Sequence, residues 1–396
     1  MKVAWVCEYP ASSFPDRPSL RQIPAGHPVP WVVVQAPLVA ASGVELHVVT
    51  VSKHVERDDE FTSGGVHFHF LKIPALPRAA MAYQIDRRRI TGCLRRIQPA
   101  IVHGFGTESS FGYSAVSAPF PSVLMIQGIV SRIVGARGRA SLLRSPGLCM
   151  SLMVERVTVR RARHVVCETR FAAEFVRQHN PLAVTHIIST PIRDEFFGIA
   201  RRPEAGTGAE VLFVGLVAPE KGIDVLVSAF SRVVAESPRA VLHVVGGYAP
   251  GYVERVLMPQ VSRLDLVDRV VVHGQQPAAV IADRLSRAAL LVQPTLMDTA
   301  PNVLAEARAA GVPVVASAVG GIPELIDDKV DGLLVPPHSA ERLAAAIVAL
   351  LSDPAAATAM GERGRDRVRR DHRASVQVPK LLAAYRDVLA AAPAPQ

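Results

Sequence analysis

Apolar and polar positions follow two alternating registers along the chain. Short β-branched or alternating runs at Lys2–Glu8, Val44–Val51, Val66–Ile73, Pro99–Phe105, Pro121–Gly128 and Arg163–Glu168 predict strands. Between them, Trp31–Ala41, closed by Ser42-Gly43, and Ala79–Ile97, with Ile90, Leu94 and Ile97 on one face, predict helices. The same alternation resumes at Val211–Gly215 (strand), Ile223–Ala235 (helix), Ala240–Gly246 (strand), a helix after Tyr252, and Val270–His273 (strand). A strand over Ala288–Gln293 then leads through a loop to a helix opened by Pro301 and Asn302, running through Leu304, Glu306 and Ala310 and stopped by Gly311. Val312–Ser317 follows as a strand, and Leu343–Leu351 and Gln377–Ala391 close the chain as helices. Regular β-α alternation at this spacing predicts an α/β protein of doubly wound parallel sheets, without internal repeats.

A chain of 396 residues exceeds one ordinary core and predicts two domains. The expected division is 1–197 as an N-terminal Rossmann-like domain, 198–210 (GIARRPEAGTGAE) as linker, and 211–372 as a second domain. Residues 373–396 are expected to form a helix packing back on the first domain, then a loose tail from Ala390 to Gln396. Apolar residues at 49% and charged residues at 20% exclude disorder. Cys7, Cys93, Cys149 and Cys167 lie too far apart for a zinc or disulfide motif and suit a reducing cytoplasm. The apolar start Met1–Val6 is too short for a signal peptide, and prolines interrupt the uncharged run Ile23–Val44.

Charge is unevenly distributed. Residues 1–200 hold 23 Lys and Arg against 14 Asp and Glu, whereas 201–396 hold 21 of each, so the net +9 belongs to the first half. Clusters at Arg87-Arg88-Arg89, Arg95-Arg96 and Arg160-Arg161-Arg163 predict attraction to an anionic acceptor or, peripherally, to the inner face of an anionic membrane. The competing reading is an arginine-rich surface without a partner. Nucleic acid is not expected.

The chemistry concentrates in the second half. Asp298, on the loop after a predicted strand, and Glu306, inside the following helix, would stand about 12 Å apart if both were helical, which suits two ends of an extended ligand. Between them the amides of the helix start offer a seat for a diphosphate. Glycine-flanked Lys221, in the loop Gly215–Gly222 after a strand, can neutralise a phosphate there, although the loop lacks the glycines and Ser/Thr of a Walker motif. Gly320-Gly321 serve either close ligand approach or a tight turn. In the first half, His103-Gly104 and Gln127-Gly128 end predicted strands, where α/β sites are built. His67 and His69 share one face of a strand with no third ligand evident, and no metal site is expected.

The block Glu306–Gly321 (EARAAGVPVVASAVGG) resembles the signature of the retaining glycosyltransferases of family 4, the group 1 type. Asp298 replaces that signature's first Glu, and Leu216 stands where the family's G-R-L-x-x-x-K-G motif places Arg, while Lys221 matches its Lys. Gly320-Gly321-Ile322-Pro323-Glu324 and Asp327–Pro336 extend the resemblance, which runs from about Val211 to Arg370. Ser189 and Thr190 stand where Pro and Asn are expected. The resemblance implies a GT-B fold, two Rossmann-like domains facing a cleft, and metal-independent transfer of a hexose from a UDP-, GDP- or ADP-sugar to a polysaccharide or lipid-linked glycan. No further cofactor is implied. Asp298 would face the sugar hydroxyls and Glu306 the ribose. Gly215, Lys221, Pro301, Asn302, Val303 and Leu304 would hold the donor, His103 would position or activate the acceptor, and Gln127, Gly128, Gly320 and Gly321 would line the cleft. Because of the departures, a binding protein with a degenerate donor site is the alternative.

Overall fold

The computed structural model describes residues 1–23, 29–76, 78, 81–138, 146–202 and 209–391. The chain divides into two compact units, Met1–Pro191 with Ala374–Gln396, and Ile192–Arg373.

The first unit is built on eight strands: β1 (Lys2–Val6), β2 (Glu45–Ser52), β3 (Asp59–Ser63), β4 (Val66–Lys72), β5 (Ile101–Phe105), β6 (Ser122–Met125), β7 (His164–Cys167) and β8 (Val184–Ile187). Their order is β3-β4-β2-β1-β5-β6-β7-β8, parallel throughout except for β3 against β4. Val3, Ala4, Trp5 and Val6 are all fully buried, as a strand covered on both faces requires. On one face Trp5, Leu46, Val48, Phe68 and Phe70 pack with the helices Pro30–Ala41 and Ala374–Ala390. On the other, Val49, Val51, Leu71 and Ile73 lie beneath Ile90, Cys93 and Leu94 of the helix Gln84–Ile97. The polar strand β3 (DEFTS), too charged to read as a strand from its pattern, covers the outer edge.

The second unit holds β9 (Glu210–Val214), β10 (Val241–Val245), β11 (Val270–Gly274), β12 (Leu290–Gln293), β13 (Val314–Ser317) and β14 (Leu333–Val335). The order β11-β10-β9-β12-β13-β14, all parallel, is the doubly wound arrangement, with its switch point between β9 and β12. The helix Pro354–Asp371 carries no clean apolar stripe, and its fit is made by contact. A Cβ on Gly361 would stand 2.2 Å from the Gly311 carbonyl oxygen. The buried Arg308–Asp331 pair, shared by Arg367 of that helix, fastens it to the signature helix Asn302–Ala309.

Several expected boundaries shift. Ile192, Phe196 and Phe197 pack against Leu212, Leu304 and Ala307 in the second unit, because their apolar side chains find a core there. The division therefore falls after Pro191, not after Phe197. Ile199 joins the same core, and the Arg202 amide donates to the Ser286 carbonyl at 2.7 Å, so the start of the expected linker is tied down. Residues 203–208 of that linker and 392–396 of the tail lie outside the described residues. The helix expected from Ala79 begins at Gln84 after a left-handed Tyr83, and 79–80 are likewise not described.

Candidate functional site

Two loops meet at the carboxyl ends of β9 and β12. Gly222, with φ of +65°, ends the first: a Cβ there would lie 2.0 Å from the Pro294 carbonyl oxygen, so only glycine allows the loops to touch. The Glu220 carbonyl accepts from Thr295 Oγ1 at 3.1 Å and from the Leu296 amide at 2.9 Å, which clamps the loops together. Lys221 is thereby carried over the second loop, its Nζ donating to Asp298 Oδ2 at 2.6 Å. Sequence placed these residues in separate motifs 77 positions apart; the structure makes them one ion pair. Gly320-Gly321 turn directly behind it. Gly320 has φ of +56°, its Cβ would stand 1.9 Å from the Asp298 carbonyl oxygen, and the Gly321 amide donates to that oxygen at 3.1 Å. The glycines thus support the Asp298 loop by close packing.

The helix Asn302–Ala309 starts beyond Asp298, so the spacing of about 12 Å that assumed both acids helical does not apply. Its N-cap Pro301 makes no side-chain cap bond. Asn302 and Val303 are half-buried, but Pro301 and Leu304 are buried, and Leu304 belongs to the apolar core. Leu304 is fully buried and its amide donates to the Pro301 carbonyl at 3.0 Å. Glu306 keeps part of its surface open, yet burial pushes its carboxyl up to about 7 against the opposing pull of Arg193. Arg193 is a cation near the site that the sequence did not single out. Leu216, where the motif places Arg, is 45% exposed on the loop after β9.

In the first unit, His103 does not stand at a strand end: β5 continues to Phe105, and His103 is fully buried. Trp5 Nε1 donates to the Tyr385 hydroxyl at 2.9 Å, and that hydroxyl lies 2.7 Å from His103 Nδ1. Burial lowers the imidazole to about 3, so it stays neutral. With Tyr385 donating to Nδ1, the proton resides on Nε2. His103 is a core group beneath the helix Ala374–Ala390 and touches no solvent, which corrects its assignment as catalytic.

Gln127 and Gly128 are half-buried in the loop after β6. Beside them stands Glu155, 3% exposed, which accepts from the amides of Val130 (2.5 Å) and Ser131 (3.0 Å) and so caps the helix Val130–Arg137. Glu108 is raised by burial and by the neighbouring Glu155 and Glu8 charges, and Glu8 is raised by burial against the pull of Arg78. Three carboxylates therefore gather near the carboxyl ends of β1 and β5 within the basic half. Only folding brings Glu8, Glu108 and Glu155 together.

Two family models match the chain, "Glycosyltransferase Family 4" over residues 35–196 and "Glycosyl transferases group 1" over 208–353. A D-inositol 3-phosphate glycosyltransferase from Segniliparus rotundus is 37% identical over 155 residues, covering 39% of this chain and 34% of the relative. One from Thermobifida fusca is 34% identical over 190 residues, covering 45% of this chain and 42% of the relative. The chain thus matches less than half the length of these curated relatives. Among solved structures, sucrose-phosphate synthase from Thermosynechococcus elongatus superposes with TM-score 0.81 at 22% identity, covering 99% of this chain and 100% of that one. Anabaena HepE in complex with UDP-glucose gives 0.70 at 15% identity, covering 97% and 100%. The two models flank the linker and cover every described strand except β1, and the chain belongs to the family 4, group 1 type glycosyltransferases of GT-B fold.

Proposed function

We propose that the chain transfers a sugar from a nucleotide-sugar to a glycan acceptor, with retention of configuration and without a metal. The observation that carries this reading is the Lys221–Asp298 pair at the switch point, next to the start of the helix Asn302–Ala309. Lys221 Nζ supplies positive charge where a diphosphate meets helix amides. Asp298 can accept hydrogen bonds from sugar hydroxyls once the lysine turns to phosphate, and Glu306 receives the ribose hydroxyls. The bond from the sugar's anomeric carbon to the diphosphate oxygen breaks as the acceptor oxygen bonds on the same face. The departing diphosphate takes the acceptor's proton. Arg193 is the second cation available to this region in place of the Arg that Leu216 displaces. Uridine is the first nucleoside to test because HepE was solved with UDP-glucose. The acceptors to test are polysaccharide and lipid-linked glycans, together with inositol phosphate, which the relatives' names supply.

A second reading is favoured by one observation. Leu216 presents an exposed apolar side chain where a cation would stabilise the leaving group, so the chain could bind a nucleotide-sugar without turning it over. Nucleoside-diphosphate release from UDP-, GDP- and ADP-sugars, with these acceptors present, separates the two. Release from one donor that falls at least about 100-fold in Lys221→Met and Glu306→Ala supports transfer, since losing one charge-stabilising group costs about that much. Nucleotide binding without release supports the binding protein, and absence of both overturns the donor site.

Peripheral contact of the basic half with anionic membrane is part of the same proposal. Arg89 and Arg96 are held by Asp58 (2.5 Å) and Glu60 (2.7 Å), which leaves exposed Arg88 and Arg95 on the helix Gln84–Ile97 to provide it. Among the described residues, no single helix is long and apolar enough to cross a membrane. Binding to phosphatidylserine vesicles that weakens with salt is the expected result, and salt-independent binding counts against it.

A further inference from the structure

The amino ends of β2 and β4 carry an arrangement that the transfer reaction does not use. These strands pair in parallel with His47 opposite His67 and Val49 opposite His69. Alternation puts all three imidazoles on the face covered by the helix Gln84–Ile97, level with its last turns. The rings stack, with His47 and His67 centroids 4.7 Å apart and His47 and His69 centroids 5.3 Å apart. The sequence offered His67 and His69 with no third ligand. The structure corrects this by bringing Glu45 and His47 beside His67, their ligand atoms all within 4.8 Å of one another.

We propose that Glu45, His47 and His67 form a binding site for one zinc-class divalent ion. The hydrogen bonds around the imidazoles carry the argument. His67 Nδ1 lies 2.9 Å from Thr62 Oγ1, and His47 Nδ1 lies 3.0 Å from His69 Nε2, while His69 Nδ1 faces Glu60 Oε1 at 3.4 Å. In the tautomers that a metal would require, His47 Nδ1 donates to His69 Nε2 and His67 Nδ1 to Thr62 Oγ1, while His69 Nδ1 faces Glu60. His47 Nε2 and His67 Nε2 are then the lone pairs offered beside the Glu45 carboxylate, the ion taking the place of the proton that His47 Nε2 shares with Glu45 Oε1 in the metal-free chain. Metal-binding histidines are held in this way, with the second ring nitrogen donating to a neighbour that fixes tautomer and orientation. Glu45 Oε1 already stands 3.3 Å from His47 Nε2, close to the separation of about 3.4 Å between ligands in a tetrahedral site with bonds near 2.1 Å.

Two imidazoles and one carboxylate with an open fourth position suit zinc. Lys2, 3.3 Å from Glu45, must turn away on binding; it has the Ile97 carbonyl at 3.2 Å to hold it. The neighbouring set of Glu60, His69 and Cys93 is the weaker candidate, since Cys93 is fully buried and Arg96 occupies Glu60 at 2.7 Å. The site lies at the end of the sheet opposite Glu8 and Glu108, so the ion would pin the edge strands of the first unit rather than meet substrate. The proposal does not depend on the transfer reading.

The full-length chain, stripped with chelator, is titrated with Zn2+ by calorimetry and with Co2+ by visible absorption. One ion per chain with tetrahedral Co2+ bands is expected, along with slower amide exchange over 45–52 and 66–72. Glu45→Gln combined with His67→Gln, both at solvent-reaching positions, should weaken binding at least about 100-fold. Thr62→Val, which keeps all three ligands and removes only the orienting bond, should weaken it about tenfold. His243→Gln, at the separate His243–His273 pair, should leave it unchanged. Absence of micromolar binding by the folded wild-type chain, or binding undiminished in both the double variant and Thr62→Val, overturns the site.

Discussion

Glu306 stores an energetic cost at the candidate site. Its carboxyl is raised from 4.5 to about 7, so between these values the folded chain holds a proton that the unfolded chain has released. Stability from this group is therefore present below the lower value and lost as pH rises through the upper one. Glu306→Gln should match the wild type under acid conditions and exceed it above neutrality by roughly 1–3 kcal/mol, read from urea unfolding across pH. A variant equally stable at all pH values would show that the carboxyl titrates normally. If ribose hydroxyls donate to Glu306, nucleotide binding favours its charged form. Calorimetry near neutrality in buffers of different ionisation enthalpy should then register proton release on binding, and none in Glu306→Gln. At His103 the expectation runs the other way. Tyr385→Phe leaves both Trp5 Nε1 and His103 Nδ1 without their partner and should cost about 1–3 kcal/mol in the first unit. Any turnover should keep its pH profile, because a buried neutral His103 contributes no titration.

At the scale of elements, close backbone approach shapes the donor loops. Gly320 and Gly246 each leave no room for a Cβ: at Gly320 it would meet the Asp298 carbonyl oxygen, and at Gly246, with φ of +142°, it would come within 1.9 Å of the Gly215 carbonyl oxygen. Gly320→Ala should displace the Asp298 loop and weaken donor binding at least about tenfold while the fold persists, measured by calorimetry alongside circular dichroism. Donor binding at wild-type strength would show that the loop is set without this turn. The glycines themselves were legible in the sequence; what they touch was not, because the Gly320–Asp298 contact joins two loops through packing alone. The strands β1, β2, β4, β5, β9, β10 and β12 were legible because each is a short apolar or alternating run. Strand β3 and the helix Pro354–Asp371 were not, since a polar edge and an arginine-rich helix find their partners only in the fold.

For the whole molecule, the notable feature is the return of the chain. After Arg373 it re-enters the first unit as the helix Ala374–Ala390, whose Val378, Leu381, Ala384, Tyr385 and Val388 are buried in the core that holds Trp5. The Ser189 amide donates to Gln377 Oε1 at 3.2 Å and fastens the start of that helix beside β8. A chain ending at Arg373 should lose the amide-exchange protection of β1 and β5 while β9 and β12 keep theirs, since the second unit is continuous from Ile192 to Arg373. Equal loss in both would mean that the units do not fold separately. The sequence alone determined the β-α alternation, the basic first half, and the block Glu306–Gly321, because periodicity, charge and local motifs are properties of neighbouring residues. Only the tertiary structure decided that Lys221 grips Asp298, that His103 is sealed beneath Tyr385, and that Glu45, His47 and His67 converge. Each of those contacts joins different elements, and their geometry follows from strand order and loop packing, which no local pattern encodes.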